Sequence, residues 1–490
     1  MSGRLTNPAV AGLAGLLVAY GALLVALIGA VPGGSDNSGY FNEARLLARG
    51  EFRATIRSLP GLPAHEAPPY LYIPLGFKPS SPGAATMVPT YSPGLPLLLV
   101  PAARLVGWRN AGDLVLILHS LAGIALTFAL GRRCGLPAAW ALLAAAALAA
   151  SPLYLFTSLQ ALSDVPATAW ATAAVLAALA ARERAGWAWA AGACVGVAFL
   201  VRPNNFLVGL PVALALGASP RRLLAAAAGA LPSLAAWMAI NHAAYGSALE
   251  SGYGAIGAEF HAALVPSTLA FCAVWMPMLL GPVILAGPFL VLARRGRTRV
   301  TWVLLAWSAA FIAFFLPYRW THEAWWFLRF LLPAAPALIV AGLIAAHEWV
   351  EGVGDRLRGV SHRVLPALLA LATVGVEASQ GGPLGEAWTI GHGERKYGRV
   401  AEWLRAHAPA EAALVAVQAS GALFYYLDNT VVRWDQITPG NAARVEAAVA
   451  GRPLFAALFP FERPALETLP GKWVRVGNVE DVTLWRRDPR

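Results

Sequence analysis

The sequence predicts a mainly α-helical, polytopic membrane protein with about eleven transmembrane helices, a large outer first loop and a small C-terminal α/β domain outside the membrane. The 490 residues are 58% hydrophobic and only 13% charged, with a mean hydropathy of +0.58. A soluble domain is about one quarter charged. Apolar runs of about 20 residues, the length that crosses a bilayer, recur along most of the chain. Towards the C-terminal end the composition becomes that of a soluble domain.

About eleven apolar segments are long enough, or nearly long enough, to span a membrane. The first is too long for the apolar part of a typical signal peptide, so we interpret it as a retained span. The fifth and sixth are short and meet at VRPNNF, which is typical of a half-depth hairpin or of tightly packed helices. The segments lie at 9–31, 113–131, 138–157, 165–181, 187–201, 204–218, 222–243, 265–293, 300–317, 330–347 and 364–378.

Basic residues lie in short clusters on alternate connections between the apolar runs. Because arginine and lysine concentrate in cytoplasmic loops, this pattern predicts a cytoplasmic N-terminus and a C-terminal domain outside the cytoplasm. The same pattern explains the net charge of +11 without a nucleic-acid partner. The clusters are Arg4, Arg132 with Arg133, Arg182 with Arg184, Arg221 with Arg222, 294–299 and 355–363.

A short helix is predicted directly after the first span, in the stretch GGSDNSGYFNEARLLARGEF (33–52). The Ser-Asp pair is a helix-start signal and Gly50 is a stop signal. Asp36 therefore has two interpretations: it caps this helix, or it faces a reaction at the membrane surface. Further along the outer loop 32–112, which is rich in proline and glycine, an apolar segment at 95–106 is expected at the membrane interface.

Helix and strand patterns alternate near the C-terminal end. This alternation predicts a soluble α/β domain over 390–490, following a transmembrane domain over 1–380. The predicted helices are 394–407 and 441–451, and the predicted strands are 412–417, 453–459, 472–476 and 481–485.

Asp164, in SLQALSDVPATAW (158–170), lies at the outer end of a predicted span. It is either a helix start, since proline suits a first turn, or a second carboxylate near Asp36. Two acids together could orient an acceptor hydroxyl or hold a divalent cation.

Basic side chains at the outer ends of the spans also have two interpretations. They contact lipid headgroups, or they converge on a phosphate-bearing lipid substrate, which the planar fork of arginine suits well. Neighbouring tryptophans are typical of an interfacial aromatic belt. The basic residues are Lys78, Arg202, Arg319, His322 and Arg329.

Motifs of several soluble enzyme classes are missing: the sequence has no GxSxG, no HExxH, no P-loop and no GxGxxG opening a βαβ unit. Its three cysteines match no metal-binding spacing. No predicted cytoplasmic domain could bind ATP or a nucleotide sugar, so an enzyme of this kind would use a preactivated lipid.

Five motifs occur in an order that resembles the bacterial GT-C membrane glycosyltransferases that use polyprenyl-phosphate sugars. These include protein-mannosyltransferase-like and aminoarabinose-transferase-like proteins. The motifs are SDNSGYFNEARLLARGEF, VPTYSPGLPLLLVPAARLVG (88–107), LSDVPAT (162–168), FLVRPNNFLVGLP (199–211) and RFLLPAAPALIV (329–340). The resemblance extends over nearly the whole membrane part.

The resemblance implies inverting sugar transfer from a polyprenyl phosphate to an acceptor hydroxyl on a cell-envelope glycan, lipid or protein. The site would lie at the outer face of a bacterial cytoplasmic membrane. Asp36 would act as general base and Asp164 as a second acid. The donor phosphate would be steadied by Lys78, Arg202 and Arg329, and weaker substrate contacts would come from Tyr40, Tyr91 and His322.

The sequence departs from this family at Asn37, where many relatives have a second acid. A divalent cation such as Mg²⁺ or Mn²⁺, held by Asp36 and Asp164, therefore stays an open question. Two other functional classes are a transporter or flippase of lipid-linked glycans and a scaffold with a binding tail. A transporter predicts charges deep within the spans, whereas here the polar residues concentrate on the outer loops.

Overall fold

The computed structural model describes residues 8–254, 256–292, 298–352, 375 and 381–488. The α-helices are α1 (Pro8–Leu27), α2 (Ser35–Ala48), α3 (Gly94–Val106), α4 (Ala111–Arg133), α5 (Ala138–Ala150), α6 (Pro152–Ser158), α7 (Asp164–Ala180), α8 (Trp187–Val201), α9 (Gly209–Leu216), α10 (Pro220–Tyr245), α11 (Val265–Leu280), α12 (Arg299–Phe315), α13 (Ala335–Gly352), α14 (Gly381–His407), α15 (Ser420–Tyr426), α16 (Ala442–Ala448) and α17 (Ala465–Thr468).

Short strands and 3₁₀-helical segments connect these helices. The strands are β1 (Ala54–Thr55), β2 (Phe77–Pro79), β3 (Thr86–Pro89), β4 (Ala413–Val415), β5 (Val431–Val432), β6 (Leu454–Leu458), β7 (Trp473–Val479) and β8 (Val482–Arg487). The 3₁₀ segments are Pro203–Val208, Ile256–Glu259, Ala262–Leu264, Pro282–Leu292, Arg319–His322, Trp325–Ala334, Trp434–Gln436 and Pro460–Glu462.

Within the described residues, 5 helical stretches are long and apolar enough to cross a membrane, namely α1, α4, α10, Ala262–Leu280 and Trp325–Gly352. The bent pair α5 and α6 meets at 61° and adds a sixth candidate. Shorter apolar helices include α3, α7, α8, Pro203–Leu216, Pro282–Leu292 and α12. Together they match the predicted apolar segments up to 347, which confirms the mainly helical membrane fold, while the predicted segment 364–378 lies outside the described residues.

One predicted segment, 265–293, is broken in two. Its first part forms α11, and a 3₁₀ segment follows from Pro282. Gly281 separates the two with a φ of 88°, a backbone conformation that glycine adopts at little cost. Pro282 has no N–H to continue the helix. A continuous apolar run therefore does not give a continuous helix here.

The chain folds into two compact units, each assembled from three stretches of sequence. The helical unit takes its described residues from Met1–Ile28, Leu114–Ala236 and Ala255–Ile390. The mixed unit takes its described residues from Gly29–Asp113, Trp237–Gly254 and Gly391–Arg490. The domain limits drawn from composition, 1–380 and 390–490, stay a prediction.

In the helical unit, small residues allow helices to approach closely. A Cβ atom on Gly192 of α8 would lie 1.7 Å from the carbonyl oxygen of Ala226 in α10, and one on Gly229 would lie 2.1 Å from the carbonyl oxygen of Trp189. Glycine at both positions therefore brings the two backbones into contact, as is common between membrane helices. Elsewhere in the helical unit, helix α7 packs against α8, α9 and the 3₁₀ segment Trp325–Ala334.

The mixed unit contains two sheets. The first is a small antiparallel sheet from the first loop, in the order β1-β3-β2. The second has five strands in the order β5-β4-β6-β8-β7. Strand β4 is parallel to β5 and β6, whereas β8 is antiparallel to both of its neighbours. The predicted C-terminal α/β fold is confirmed, with α15, α17 and β5 as additions that the sequence pattern does not predict.

One hydrophobic core joins the first loop to the C-terminal sheet. Leu59, Leu71 and Met87 of the loop are fully buried in the same cluster as Ala456 and Leu458 of β6. The backbone is joined as well, because the N–H of Arg433 donates to the carbonyl of Leu71 at 2.8 Å. The first loop and the C-terminal sheet therefore form one folding unit.

We predict that Leu71→Ala loosens both parts of this core. Removing a fully buried leucine side chain costs about 2–5 kcal/mol, through lost burial and the cavity that remains. Hydrogen exchange followed by mass spectrometry should show faster exchange both in 54–89 and in 413–458. Leu105→Ala, at a position with 79% exposure in α3, is the matched control and should change neither. Faster exchange confined to 54–89 would contradict a shared core.

Candidate active site

Helix α2 carries Asp36 in its first turn. Gly34 is the N-cap residue, and no side chain caps the helix. The interpretation of Asp36 as the helix cap is therefore wrong, although a carboxylate in the first turn still favours the helix through its dipole. The predicted stop is confirmed, since α2 ends at Ala48 and Gly50 follows with a φ of 72°.

Two tyrosines predicted as weaker substrate contacts lie beside Asp36. The hydroxyl of Tyr91 donates to Oδ1 of Asp36 at 2.7 Å, and it lies 3.1 Å from the hydroxyl of Ser35. The Tyr91 ring lies 5.0 Å from that of Tyr40. Burial, with a further contribution from the negative charge of Asp36, raises the pKa of Tyr91 well above 10.0. Tyr91 therefore remains a neutral donor that orients the carboxylate.

Glycine at position 39 makes room for this tyrosine. A Cβ atom on Gly39 would come within 2.5 Å of the Tyr91 ring and 3.1 Å of the backbone of Gly76. Gly76 itself has a φ of 91°, which few other residues adopt. With glycine at both positions, the backbone of the first loop at Gly76 can lie directly against α2 at Gly39.

A buried acid from the C-terminal helix α14 supports the turn that carries Asp36. Oε2 of Glu394 accepts from the backbone N–H of Gly34 at 2.8 Å and from Nδ2 of Asn37 at 2.7 Å. Glu394 is only 8% exposed. Burial raises its pKa to about 7; the charge of Asp36 also raises it, while the two hydrogen bonds and Lys396 lower it.

Asp164, Arg202 and Arg329, three residues singled out in the sequence, meet in the helical unit. The carboxylate of Asp164 is fully buried at the start of α7. Its Oδ1 lies 2.5 Å from Nη1 of Arg202, and its Oδ2 lies 3.7 Å from Nη1 of Arg329. The Phe330 ring lies near both guanidinium groups, at 5.1 and 5.7 Å. Two cations share one anion, so the cluster keeps one net positive charge.

This arrangement gives Asp164 a different environment from the one expected of a second catalytic acid. Its Oδ1 is hydrogen-bonded to Arg202, whereas its Oδ2 lies within ion-pair distance of Arg329 and accepts no hydrogen bond from the described residues, an arrangement that suits an anchor for the arginines. Within the described part of the chain, no group of three or more histidine, cysteine, aspartate or glutamate side chains could hold a metal ion. Whether Asp36 and Asp164 act together stays a prediction.

The family model described as dolichyl-phosphate-mannose-protein mannosyltransferase matches residues 102–243, which include Asp164 and Arg202. A search of curated proteins finds no match.

Solved structures match along the whole chain. ArnT from Cupriavidus metallidurans bound to undecaprenyl phosphate is 18% identical, with a TM-score of 0.60 over 97% of both chains. Its apo state is 17% identical, with a TM-score of 0.60 over 98% of both chains. The Archaeoglobus fulgidus oligosaccharyltransferase tethered with an acceptor peptide is 12% identical, with a TM-score of 0.54 over 97% of this chain and 74% of that one.

The chain has the GT-C fold. The ordered motifs implied this fold for the membrane part. The solved structures confirm it and extend it over nearly the whole chain.

The remaining predicted site residues have other partners. Lys78, in β2, donates to the carbonyl of Ser251 at 3.1 Å, lies 3.5 Å from Glu250 and stacks over the Tyr245 ring at 4.7 Å. His322 lies 3.3 Å from the hydroxyl of Thr268. The expected contact of Lys78 with a donor phosphate and the weaker substrate contact of His322 stay predictions.

We predict that Asp164→Ala strongly destabilises the protein. It leaves Arg202 and Arg329, whose side chains are 14% and 15% exposed, without their shared counter-charge. Breaking a buried ion pair costs about 3–5 kcal/mol. The apparent melting temperature in detergent should fall accordingly. Glu183→Ala is the matched control, because Glu183 pairs with Arg133 at 2.7 Å but is 69% exposed, and such pairs are worth about 0–1 kcal/mol. Equal melting temperatures of the two variants would contradict this prediction.

We also predict a pH-dependent contribution to stability from Glu394. In the unfolded chain the carboxyl loses its proton near its ordinary pKa of 4.5, whereas in the folded protein it keeps the proton until about pH 7. The folded state is thus favoured at low pH, and its free energy of unfolding falls as pH rises through this interval. The total fall is on the order of 3 kcal/mol, and above this pH interval the contribution of Glu394 to the free energy of unfolding no longer changes.

Thermal unfolding across this pH interval measures the effect. Glu394→Gln has no proton to lose, so the difference in melting temperature between this variant and the wild type should change with pH. A constant difference at all pH values would contradict the raised pKa of Glu394.

Proposed function

We propose that this chain is a GT-C membrane glycosyltransferase that moves a sugar from a polyprenyl phosphate to an acceptor hydroxyl. The observation that carries the proposal is the Asp36 carboxylate, oriented by the Tyr91 hydroxyl at the start of α2. In support, the crystal structure of ArnT has bound undecaprenyl phosphate. The structure of the archaeal oligosaccharyltransferase AglB, which is 13% identical to this chain with a TM-score of 0.53, is a complex with an inhibitory peptide and a dolichol-phosphate.

Asp36 is assigned as the general base. It is half-buried, and its Oδ1 accepts the Tyr91 hydrogen bond, so the carboxylate cannot rotate freely. A fixed carboxylate close to an incoming hydroxyl can remove its proton as the new bond forms, which typically contributes about 10²–10⁴-fold to a rate.

Arg202 and Arg329 are assigned to the donor phosphate. Asp164 holds both guanidinium groups, and the net positive charge of the cluster suits a lipid phosphate whose negative charge grows as it leaves. In this assignment Asp164 is a positioning residue for the arginines. Lys78 is retained as a further candidate cation.

The proposed reaction is a single displacement. The acceptor oxygen attacks the anomeric carbon opposite the phosphate, and its proton passes to Asp36. The bond between the anomeric carbon and the phosphate oxygen breaks, and the polyprenyl phosphate leaves with the electron pair. Attack from the opposite face inverts the anomeric centre.

The proposed location is a bacterial cytoplasmic membrane, with the N-terminus inside and transfer at the outer face. The basic clusters between the spans support this orientation. The proposed acceptor is a cell-envelope glycan, lipid or protein that presents a hydroxyl group.

We predict that Asp36→Asn lowers sugar transfer by about 10²–10⁴-fold, because an amide cannot accept the proton. The full-length protein in liposomes would be assayed with a panel of polyprenyl-phosphate sugars and hydroxyl acceptors. Glu402→Gln, an exposed acid on α14, is the control and should leave the rate unchanged. Undiminished transfer by Asp36→Asn would remove Asp36 from this role and overturn the proposal.

A further inference from the structure

We propose that Glu394, from the C-terminal helix α14, is a positioning residue that sets the direction of the Asp36 carboxylate. This inference rests on the proposed function, in which Asp36 is the base. It gives the C-terminal part of the chain a role in the reaction.

Glu394 contacts the chain on both sides of Asp36. One oxygen, Oε2, accepts from the Gly34 N–H and from the Asn37 side chain, so it spans the first turn of α2. The approach is close: a Cβ atom on Gly33 would lie 1.8 Å from the same oxygen. A rotation of the turn that redirects Asp36 would have to break both hydrogen bonds.

Glu394 can act as a support because α14 is itself firmly packed. Tyr397, one turn further along, accepts from Nε2 of Gln418 at 2.9 Å and packs against the Phe459 ring at 5.0 Å. On the next turns Val400 and Leu404 are buried in the C-terminal core. Glu394 therefore projects from a helix whose position is fixed by the sheet beneath it.

Other contacts between α2 and the C-terminal part hold the later turns of the helix. Nδ2 of Asn42 donates to the Gly421 carbonyl at 3.0 Å, and Arg45 donates to the Tyr425 carbonyl at 2.7 Å. These contacts fix the helix axis. The two hydrogen bonds of Glu394 are made at the residues that flank Asp36, so they fix its orientation about that axis.

The residue type also favours a functional role. A carboxylate is costly to bury, and a second negative charge near Asp36 adds repulsion. Glu394 accepts both hydrogen bonds despite these costs. Asn37, which takes the place of an acid in this chain, is the donor of one of them. The second carboxylate near Asp36 is thus supplied by a residue 357 positions from Asn37 in the sequence.

The test compares Glu394→Ala, Glu394→Gln and Glu402→Ala in the full-length protein with a polyprenyl-phosphate sugar. Glu394→Ala should lower kcat by about 10–100-fold, the size of effect that misplacement of a catalytic group produces, with the KM for the donor changed less than about twofold. Glu394→Gln keeps an acceptor oxygen and should restore most of kcat. Glu402→Ala should behave as wild type.

Two further variants separate positioning from folding. Asn37→Ala removes one of the two hydrogen bonds and should give a smaller loss of kcat, and its effect should not add to that of Glu394→Ala. In an Asp36→Asn background, Glu394→Ala should cause no further loss, because there is no base left to orient.

The inference is overturned if the Glu394→Ala variant transfers the sugar with the wild-type kcat. It is also overturned if its loss of kcat follows a loss of folded protein and is not rescued by Glu394→Gln, since that is a purely structural effect. These results differ from failure of the proposed function, which would show as full activity of Asp36→Asn itself.

Discussion

Burial of the first loop against the C-terminal sheet is the interaction on which the mixed unit depends. The loop contributes only two- to four-residue strands, and its Leu59, Leu71 and Met87 cover one face of the C-terminal sheet, while α14 and α15 cover the other face in a second core. Once this core is closed, α14 and α15 lie against α2, and their polar side chains reach its backbone. The orientation of Asp36 is therefore a consequence of hydrophobic packing elsewhere.

The same physical rule applies to the charges in each unit. A buried charge is tolerated when it has an opposite charge or well-placed hydrogen bonds. Asp164 satisfies this rule with two guanidinium groups, and Glu394 satisfies it with an N–H, an amide and a raised pKa. Both acids are thereby committed to holding other groups. Asp36 is half-buried in the first turn of α2 and accepts a hydrogen bond from a neutral phenol, and in the proposed reaction it is the acid that exchanges a proton.

Much of the fold could be predicted because it depends on local patterns. Apolar length predicts the spans, Gly50 predicts the end of α2, and alternating patterns predict β4, β6 and β8. The break at Gly281 and the two-residue strand β5 are not predictable in this way. A single glycine or two consecutive valines are too short to show a helical or strand period. Among the site residues, Asp164 and the arginines were predicted as members of one site but with separate roles. Glu394 was missed, since a helix pattern cannot tell a buried polar position from an exposed one when its partner is 360 residues away.

The discontinuous core also limits when the mixed unit can complete its fold during synthesis. Residues 29–113 leave the ribosome before most of the helical unit is made, and the strands that cover their apolar side chains are made after that unit. Contacts between such distant parts of a chain form late, because the intervening loop must be closed first. Leu71 and its neighbours must therefore stay uncovered while the helices between them are inserted one after another. A ribosome that stops before residue 413 releases a chain with most of its helices and no completed core around α2.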